Sequence, residues 1–495
     1  MYFKMKEIGI TGKIFNIIKH MYSNTHFCVK KNNFVSQPIL NDKGVKQGDS
    51  LSPTLFNIFL NDIGKCFNDQ NLSKPLNLNG HNINHLLFAD DLLIFSESKE
   101  GLQHCLNETG TYCNTWRLNI NVKKTKVMLF SKGKRDYSKF SFFIQNSELE
   151  IVEKYKYLGI VFHFNGNLKH AAEDLYNKSL KAFFSLKSKF SNFDEVPIHI
   201  SFKLFDSLIK PILTYGSEVW LTDYNINFVN ADILPMEKLH HKMIKCVLGV
   251  KRQSSNMACR LECNRIPTLI SSMTIMYNYY LRFLKMDQNR TLYKAFVTDQ
   301  TLFQENSKSW YSTISSIFKL VKIDINDNID SSTFTKKLVD FYYQHMTTQI
   351  ERIKSGVTDS KLSLFSNIFI PDNKIPFYLS INQNKKIKSK ITEMRISAHN
   401  LNIERGRYCK PKVPRSERFC KFCHDVETES HFLIACNKYN NIRTKLFQPY
   451  NMELCRSHEN ITARLLNPIT ANECITLYKF IRVATELRMM YNCDF

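Results

Sequence analysis

INHLLFADDLLIFSES, residues 83–98, holds two apolar runs on either side of Asp90 and Asp91. The runs are short and rich in Leu, Ile and Phe, so they predict two strands of a β-hairpin with both acids near its turn. Adjacent carboxylates repel each other, and a hard cation such as Mg²⁺ offsets that repulsion while leaving room for water and phosphate oxygens. An exposed turn is the alternative, because Asp is a common turn residue. The neighbouring sequence has to decide between the two.

Helical and strand patterns alternate around this hairpin. Downstream, residues 99–115 predict a helix and residues 126–130 a strand. Upstream, the patterns predict a helix within residues 7–22 after a turn at Gly12, a hairpin at residues 26–40, and a buried helix that Ser52 caps and Pro53 begins. In the first of these helices one packed face is expected to carry Ile14, Ile17, Ile18 and Met21. Elements in this order indicate an α+β fold.

Composition limits the partners of the chain. Its 495 residues carry a formal net charge of +23, which favours a polyanion as partner, although a Lys-rich surface can also serve solubility alone. The 14 cysteines lack the regular spacing of a secreted disulfide scaffold, and no leader peptide is expected. No run reaches the ~20 apolar residues of a membrane span. We therefore expect an intracellular protein, nuclear or cytoplasmic, without membrane contact.

Four sequence blocks follow one another along the chain: GVKQGDSLSP at 44–53, FADD at 88–91, NVKKTK at 121–126 and YKYLG at 155–159. Together and in this order they resemble the motifs of the reverse transcriptases of non-LTR (LINE-type, jockey-like) retrotransposons. Taken alone, each block could be an ordinary polar loop, turn or edge strand. The resemblance implies RNA-directed DNA polymerase activity, with an RNA template, a DNA primer or target, and Mg²⁺ (or Mn²⁺) at Asp90 and Asp91.

The resemblance also assigns roles to residues that bind the substrates. Gln47 and Gly48 would lie under the incoming base pair, since Gly48 permits close backbone approach and Gln47 offers both a donor and an acceptor. Either Lys124 or Lys126 would approach the leaving phosphates. The substrate-binding list is completed by a primer-grip hairpin, with Tyr157, Leu158 and Gly159.

One expected feature of this family is missing from the sequence. Two-metal nucleotidyl transfer uses three acids, and the family's first acid lies in a Phe-Asp motif ahead of the helix that residues 1–18 resemble. No aspartate precedes Asp42, and Glu7 is the only earlier acid. We therefore expect an N-terminally truncated polymerase that is inactive alone. A non-catalytic RNA- or DNA-binding remnant is the second hypothesis, and a poorly folding relic with an open sheet edge is the third.

Helical patterns dominate beyond residue 166. This region resembles the family's thumb, and several of its lysines could face phosphates or simply be solvated: 178, 181, 187, 189, 203, 210, 238, 242 and 245. The stretch 323–333 is polar and predicts a linker, and the Lys-rich run 384–390 precedes a Cys/His cluster.

That cluster has the spacing of a zinc knuckle, Cys420-x2-Cys423-x7-His431-x4-Cys436. His424 or Cys409 could replace one ligand, and free cysteines are often just small buried apolar residues. The predicted division is a partial palm at 1–165, a helical thumb and connection at 166–320, a helical basic segment at 334–400 and a zinc-knuckle region at 401–495.

Overall fold

The structure is a computed structural model that describes residues 1–490 except 24, 42–43, 47, 134–135, 191–195, 306–307, 326, 328, 357–359, 372–373, 382–383 and 448–456. Its α-helices are α1 Tyr2–Glu7, α2 Gly12–Tyr22, α3 Ser52–Leu60, α4 Gln70–Ser73, α5 Lys99–Thr115, α6 Lys169–Lys189, α7 Ile198–Leu204, α8 Lys210–Leu213, α9 Ser217–Trp220, α10 Pro235–Leu248, α11 Asn256–Glu262, α12 Thr268–Leu284, α13 Thr291–Gln304, α14 Trp310–Leu320, α15 Ser331–Lys354, α16 Ser363–Ile368, α17 Phe377–Ser380, α18 Lys385–Arg395, α19 Asn402–Arg405, α20 Asn440–Leu446, α21 His458–Leu466 and α22 Ala471–Met490.

Strands are short and lie ahead of α6. They are β1 Thr25–Phe27, β2 Lys30–Lys31, β3 Phe34–Val35, β4 Ile39–Asn41, β5 Leu76–Leu78, β6 His81–Ile83, β7 His85–Phe88, β8 Asp91–Ile94, β9 Lys126–Val127, β10 Phe143–Ile144, β11 Ser147–Glu148, β12 Glu150–Ile151, β13 Lys154–Tyr157 and β14 Ile160–His163. Antiparallel pairs join β1 to β4, β2 to β3, β5 to β6, β7 to β8 and β10 to β11, whereas β9 and β12 pair in parallel. Strands followed by many helices confirm the α+β class.

The chain forms two compact units. The first comprises Met1–Lys156, His163–Gly166 and Met286–Glu305, and the second comprises Tyr157–Phe162, Asn167–Lys285 and Asn306–Phe495. The four-part division made from the sequence stays a prediction. Among the described residues, no helix combines the length and apolar character that crossing a bilayer requires.

The first unit has several small apolar clusters around α5. Leu106 packs with Val127 and Phe142 on one side of this helix, and Tyr112 and Cys113 pack with Leu60 on another. Ser98 is the N-cap of helix α5, because its Oγ accepts from the Gly101 backbone N–H at 2.9 Å. The predicted helix at 99–115 is thereby confirmed.

The second unit is built from longer amphipathic helices. Helices α10, α12 and α15 bury large apolar side chains, and the rings of Tyr277 on α12 and Phe334 on α15 stack at 3.9 Å. Toward the C-terminus, α18 packs along α22. Burial of these apolar faces is the main driving force for this part of the fold.

Four local predictions need correction. In α2 the buried residues are Phe15 and Ile18, so Ile18 is confirmed on the packed face, whereas the prediction was wrong for Ile14, Ile17 and Met21, which are 65%, 49% and 42% exposed. Ser52 is the first residue of α3 rather than its cap, because its Oγ donates to the Lys46 carbonyl at 2.6 Å instead.

The other two corrections concern element ends. The strand predicted at 126–130 ends at Val127, where its parallel pairing with β12 ends. The supposed linker at 323–333 runs into α15, since the Asp330 carboxylate accepts from the Ser332 and Thr333 amides and so starts the helix.

Candidate catalytic hairpin and metal centre

The β7–β8 hairpin places the two adjacent aspartates beside its turn. Phe88 pairs with Asp91 across the strands, so Ala89 and Asp90 form the turn between them. Ala89 has φ of 52°, in the left-handed region that tight hairpin turns require. Leu87 and Leu92 pack against the cluster around Tyr112, which fixes the register. Both carboxylates are exposed to solvent.

In the described part of the chain, Asp90 and Asp91 are the two carboxylates at the turn. Within the described ranges, Asp90 and Asp91 have no third His, Cys, Asp or Glu close enough to complete a metal-binding group. A single dication could still bind two carboxylates with water completing its coordination. Two adjacent dications need more negative charge than this pair provides.

The loop before α3 is held by side-chain bonds. Asp49 accepts from the Tyr22 hydroxyl at 3.2 Å and from the Leu51 backbone N–H at 3.1 Å. Burial raises the pKa of Tyr22, so its hydroxyl stays a donor. Gly48 is exposed, has φ of 84°, and has open space where a Cβ would stand. This openness fits close backbone approach by a ligand, while Gln47 lies outside the described residues.

The two candidate phosphate-binding lysines differ in their surroundings. Lys126 Nζ lies 2.5 Å from Glu150 Oε2, an ion pair between β9 and β12. Lys124 has an exposed side chain, and its carbonyl accepts from the Tyr155 hydroxyl at 3.2 Å. Of the two, Lys124 is therefore more available to a phosphate.

The predicted primer-grip turn lies within the second unit from Tyr157 onward. Leu158 and Gly159 both have positive φ, at 45° and 85°, and they link β13 to β14 in a two-residue turn. The Tyr215 hydroxyl donates to the Leu158 carbonyl at 2.8 Å. A Cβ on Gly159 would lie only 2.9 Å from the Tyr215 ring. Sequence reasoning did not identify this role of Tyr215, because the two segments are far apart in the chain.

A buried charged network in the second unit was also missed. Arg260 donates to Glu237 Oε2 at 2.8 Å and contacts Asp232 Oδ1 at 3.3 Å. Although burial raises the pKa of Glu237, the Arg260 guanidinium lowers it to about 2. Burial lowers the pKa of neighbouring His240 to about 4. Two carboxylates thus compensate the buried Arg260 guanidinium, which indicates a structural role.

The four residues of the predicted knuckle come together. Cys420, Cys423, His431 and Cys436 present ligand atoms that all lie within 4.8 Å of one another. The Cys436 sulfur is 3.9 Å from that of Cys420 and 3.8 Å from that of Cys423. Thiolates on a tetrahedron around zinc at about 2.3 Å stand about 3.8 Å apart, so the sulfur spacing fits this ion.

The rest of the donor set supports the same ion. His431 Nε2 lies 3.1 Å from the Cys423 sulfur. Three thiols and an imidazole are soft and borderline ligands that select zinc over magnesium or calcium. The alternative ligands, exposed Cys409 and His424, do not belong to the group.

Surrounding residues lock the knuckle into the helical C-terminal region. The Phe419–Val426 bridge and a bond from the Cys420 amide to the Asp425 carbonyl, at 2.6 Å, form its first turn. Arg443 donates to the Cys436 carbonyl at 2.9 Å, which orients a ligand residue through its backbone.

Comparison with known proteins bears on the N-terminal segment. Residues 2–162 match the family described as reverse transcriptase (RNA-dependent DNA polymerase). A putative uncharacterized transposon-derived protein of Caenorhabditis elegans is 32% identical over 147 residues, 29% of this chain and 51% of that protein.

Two further relatives come from named elements. The Pol polyprotein of the type-2 retrotransposable element R2DM of Drosophila melanogaster is 28% identical over 184 residues, 35% of this chain and 17% of its own length. The RNA-directed DNA polymerase from mobile element jockey of Drosophila funebris is 21% identical over 284 residues, 56% of this chain and 30% of its own length. The chain thus spans at most about half the length of these relatives.

Proposed function

Residues 2–162 carry a reverse transcriptase domain related to those of non-LTR retrotransposons, and from this premise we propose that the chain serves RNA-templated DNA synthesis. The observation that supports the proposal most is the β7–β8 hairpin, which exposes Asp90 and Asp91 side by side at a turn of fixed register. In this proposal Asp90 and Asp91 would hold one Mg²⁺ or Mn²⁺, which would supply positive charge opposite the substrate phosphates.

Neighbouring residues supply binding rather than chemistry in this proposal. Gln47 and Gly48 border the nucleotide, Lys124 or Lys126 approaches its phosphates, and the turn at Tyr157, Leu158 and Gly159 steadies the DNA primer on the RNA template. Tyr215 contributes by holding the Leu158 carbonyl. Because the described residues bring no third acid to the turn, we propose that residues 1–495 alone do not extend a primer.

Metal-directed cleavage tests the carboxylate site without relying on activity. Fe²⁺ bound in place of Mg²⁺ reduces added hydrogen peroxide to hydroxide and a hydroxyl radical, ascorbate returns the resulting Fe³⁺ to Fe²⁺, and the radical cuts the nearby backbone. Cleavage close to residues 88–92 is expected in the native chain and should vanish in Asp90→Asn/Asp91→Asn. Asp136→Asn, which removes an acid elsewhere in the same unit, is the control and should leave the cut in place. Equal cleavage in all three proteins would refute the metal role of the pair.

Primer extension tests the activity itself. The purified chain is assayed with a DNA primer on an RNA template in Mg²⁺ and in Mn²⁺, beside Asp90→Asn/Asp91→Asn. We expect no extension by either protein. Extension that depends on the two aspartates would overturn the proposed inactivity and indicate that another group replaces the third acid.

We also propose that Cys420, Cys423, His431 and Cys436 bind one structural Zn²⁺. All four positions are protein ligands, which is typical of a structural rather than a catalytic zinc site. Metal analysis of the purified chain should give one zinc per molecule, and Cys436→Ser should lose it. Cys409→Ser and His424→Gln are the matched controls and should retain zinc. Loss of zinc in a control would mean that the ligand set is wrong.

A further inference from the structure

A small basic cavity lies between α18 and α22 in the second unit. It has a volume of about 200 Å³ and is lined by Lys385, Lys386, Ser389, Lys390, Tyr478 and Arg482. The lining therefore carries four cationic side chains and no carboxylate. These residues lie outside the four sequence blocks and the zinc knuckle.

The position of the lysines on α18 is electrostatically unfavourable without an anion. The N-terminus of an α-helix carries about half a positive charge, which favours acids in the first turn. Helix α18 has no acid there and begins with Lys385 and Lys386 instead. Arg482, from α22, adds a further positive charge at the same cavity. Such a concentration of like charge is stabilised when a phosphate group enters it.

The existing ion pairs at the cavity are weak competitors for a phosphate. Lys390 pairs with Glu393 at 2.7 Å, and Arg482 approaches Glu486 at 3.6 Å. The side chains of Arg482 and Glu486 are 56% and 57% exposed. Exposed pairs of this kind contribute between about 0 and 1 kcal/mol. Either cation can therefore turn toward a bound anion at little cost.

The cavity wall is also held in place. Ser389 Oγ donates to the Gly249 carbonyl at 2.7 Å, and a Cβ built on Gly249 would lie 3.1 Å from atoms of Lys385 and Ser389. Gly249 ends α10 with φ of 68°, so the first turns of α18 pack closely on the end of α10. A wall anchored in this way presents its cations without a large ordering cost.

The cavity offers more than charge. Its surface is mainly apolar, formed by the side-chain stems of the basic residues and the Tyr478 ring. The apolar part of this surface adds nothing to the binding of an inorganic anion. A nucleotide can use both parts, because it presents a flat base beside its phosphate. Base stacking on an aromatic ring combined with phosphate contacts is the general mode of single-strand binding.

We propose that this cavity, the α18–α22 site, binds one nucleotide unit of single-stranded nucleic acid, with the phosphate at Lys386, Lys390 and Arg482 and the base against Tyr478. The inference rests on the proposed function, because it assigns the C-terminal helices a part in holding the single-stranded template. It adds a binding site distant in sequence from residues 2–162.

The test compares two triple variants that remove the same charge. Lys386→Gln/Lys390→Gln/Arg482→Gln neutralises the α18–α22 site, and Lys336→Gln/Lys337→Gln/Lys354→Gln neutralises three lysines of α15 that are all exposed. Binding of a fluorescein-labelled single-stranded RNA of about 12 nucleotides is followed by anisotropy between about 50 and 300 mM KCl. Circular dichroism and zinc content confirm that each variant is folded.

The site variant should bind about tenfold more weakly at moderate salt, and the slope of log affinity against log salt should fall by about 0.7, because the contact with one phosphate of a single strand is lost. The α15 variant should change affinity by less than about threefold. Equal losses in the two variants would show that binding follows overall charge, and the proposed site would be refuted. Failure of the native chain to bind would instead refute the proposed function, so the two failures are distinguishable.

Tyr478→Leu tests the base contact separately. Loss of a stacking ring should weaken binding about tenfold while leaving the salt slope unchanged, because no charge is removed. An abasic oligonucleotide of the same length should bind the native chain and Tyr478→Leu equally. If the native chain binds the abasic and normal strands with the same affinity, the site recognises phosphate alone and the stacking part is wrong.

Discussion

Replacing Glu262 with Gln should destabilise the helices that carry the α18–α22 site. Arg395, the last residue of α18, is 2% exposed and donates to Glu262 through Nε at 2.5 Å and through its second terminal nitrogen at 3.2 Å. Its other terminal nitrogen donates to the Leu466 carbonyl at 2.6 Å. One buried guanidinium thus connects α11, α18 and the end of α21.

The expected magnitude follows from this burial. Gln keeps the shape of Glu262 but removes the charge that compensates a guanidinium with almost no access to water. Breaking a buried pair by neutralising one partner costs about 3–5 kcal/mol. Glu393→Gln is the matched control on α18, because the Lys390 side chain with which Glu393 pairs is 46% exposed, and such a pair contributes only about 0–1 kcal/mol.

Hydrogen exchange followed by mass spectrometry measures the loss of stability in individual helices. Amides of α18 should exchange at least about 100-fold faster in Glu262→Gln, since each 1.4 kcal/mol is about tenfold in an opening equilibrium. Peptides from α5, in the other compact unit, serve as an internal reference and should not change. An acceleration below about fivefold in α18, or one that Glu393→Gln matches, would refute this account of the buried pair.

Three further outcomes are expected. Lys4→Met should lower the free energy of unfolding of the first unit by about 2–3 kcal/mol in urea denaturation, because Lys4 Nζ donates to the Phe59 carbonyl at 2.6 Å and to Asp62 at 2.5 Å in a buried site. Burial raises the pKa of Asp62, but the hydrogen bond from Lys4 outweighs burial and the net pKa is lowered. The native pair therefore contributes stability above about pH 4, and this stability is lost on further acidification. The pKa of His240 is about 4 in the folded protein and 6.5 in the unfolded chain, so the unfolded state binds more protons and native stability should fall as the pH drops from 6.5 to 4. In His240→Gln, the urea midpoint of unfolding should depend less on pH over this range. Gly159→Ala should lower the melting temperature, because alanine at φ of 85° costs about 1–2 kcal/mol and its Cβ would meet a ring at 2.9 Å, whereas Gly133→Ala, with open space at its Cβ, should not.

Features whose residues all lie within one short segment could be predicted from the sequence. The β7–β8 hairpin was predictable because apolar strand residues flank Asp90 and Asp91 within a dozen positions. The knuckle was predictable because its ligands lie within 17 residues, from Cys420 to Cys436, and zinc imposes a known spacing. Helix α5 was predictable because its N-cap, Ser98, and the residues of its buried face all lie within one continuous segment of the sequence.

Features that depend on distant segments were not predictable in the same way. Arg395 and its partner Glu262 are 133 positions apart, and nothing in either neighbourhood indicates the other. The predicted face of α2 was wrong in part for a related reason, since Phe15 and Ile14 are equally apolar and only the position of Leu55 and Met5 determines which is buried. The type of one apolar residue does not determine which distant residue will pack against it and bury it.

The two candidate metal sites differ in what an ion would contribute to them. Asp90 and Asp91 are exposed on a hairpin whose register is set by backbone pairing and by packing of Leu87 and Leu92, so the carboxylates hold their places without an ion. There a cation would supply charge for binding phosphate rather than order. The knuckle thiols of Cys420 and Cys436 are instead 2% and 1% exposed. In the described part of the chain, the first turn of the knuckle is closed by the Phe419–Val426 bridge and the bond from the Cys420 amide to the Asp425 carbonyl, so an ion bound by the thiols would add folding free energy to the C-terminal helices. In the proposed function, the chain thus combines a preformed carboxylate site for chemistry with a zinc site whose ion is part of its structure.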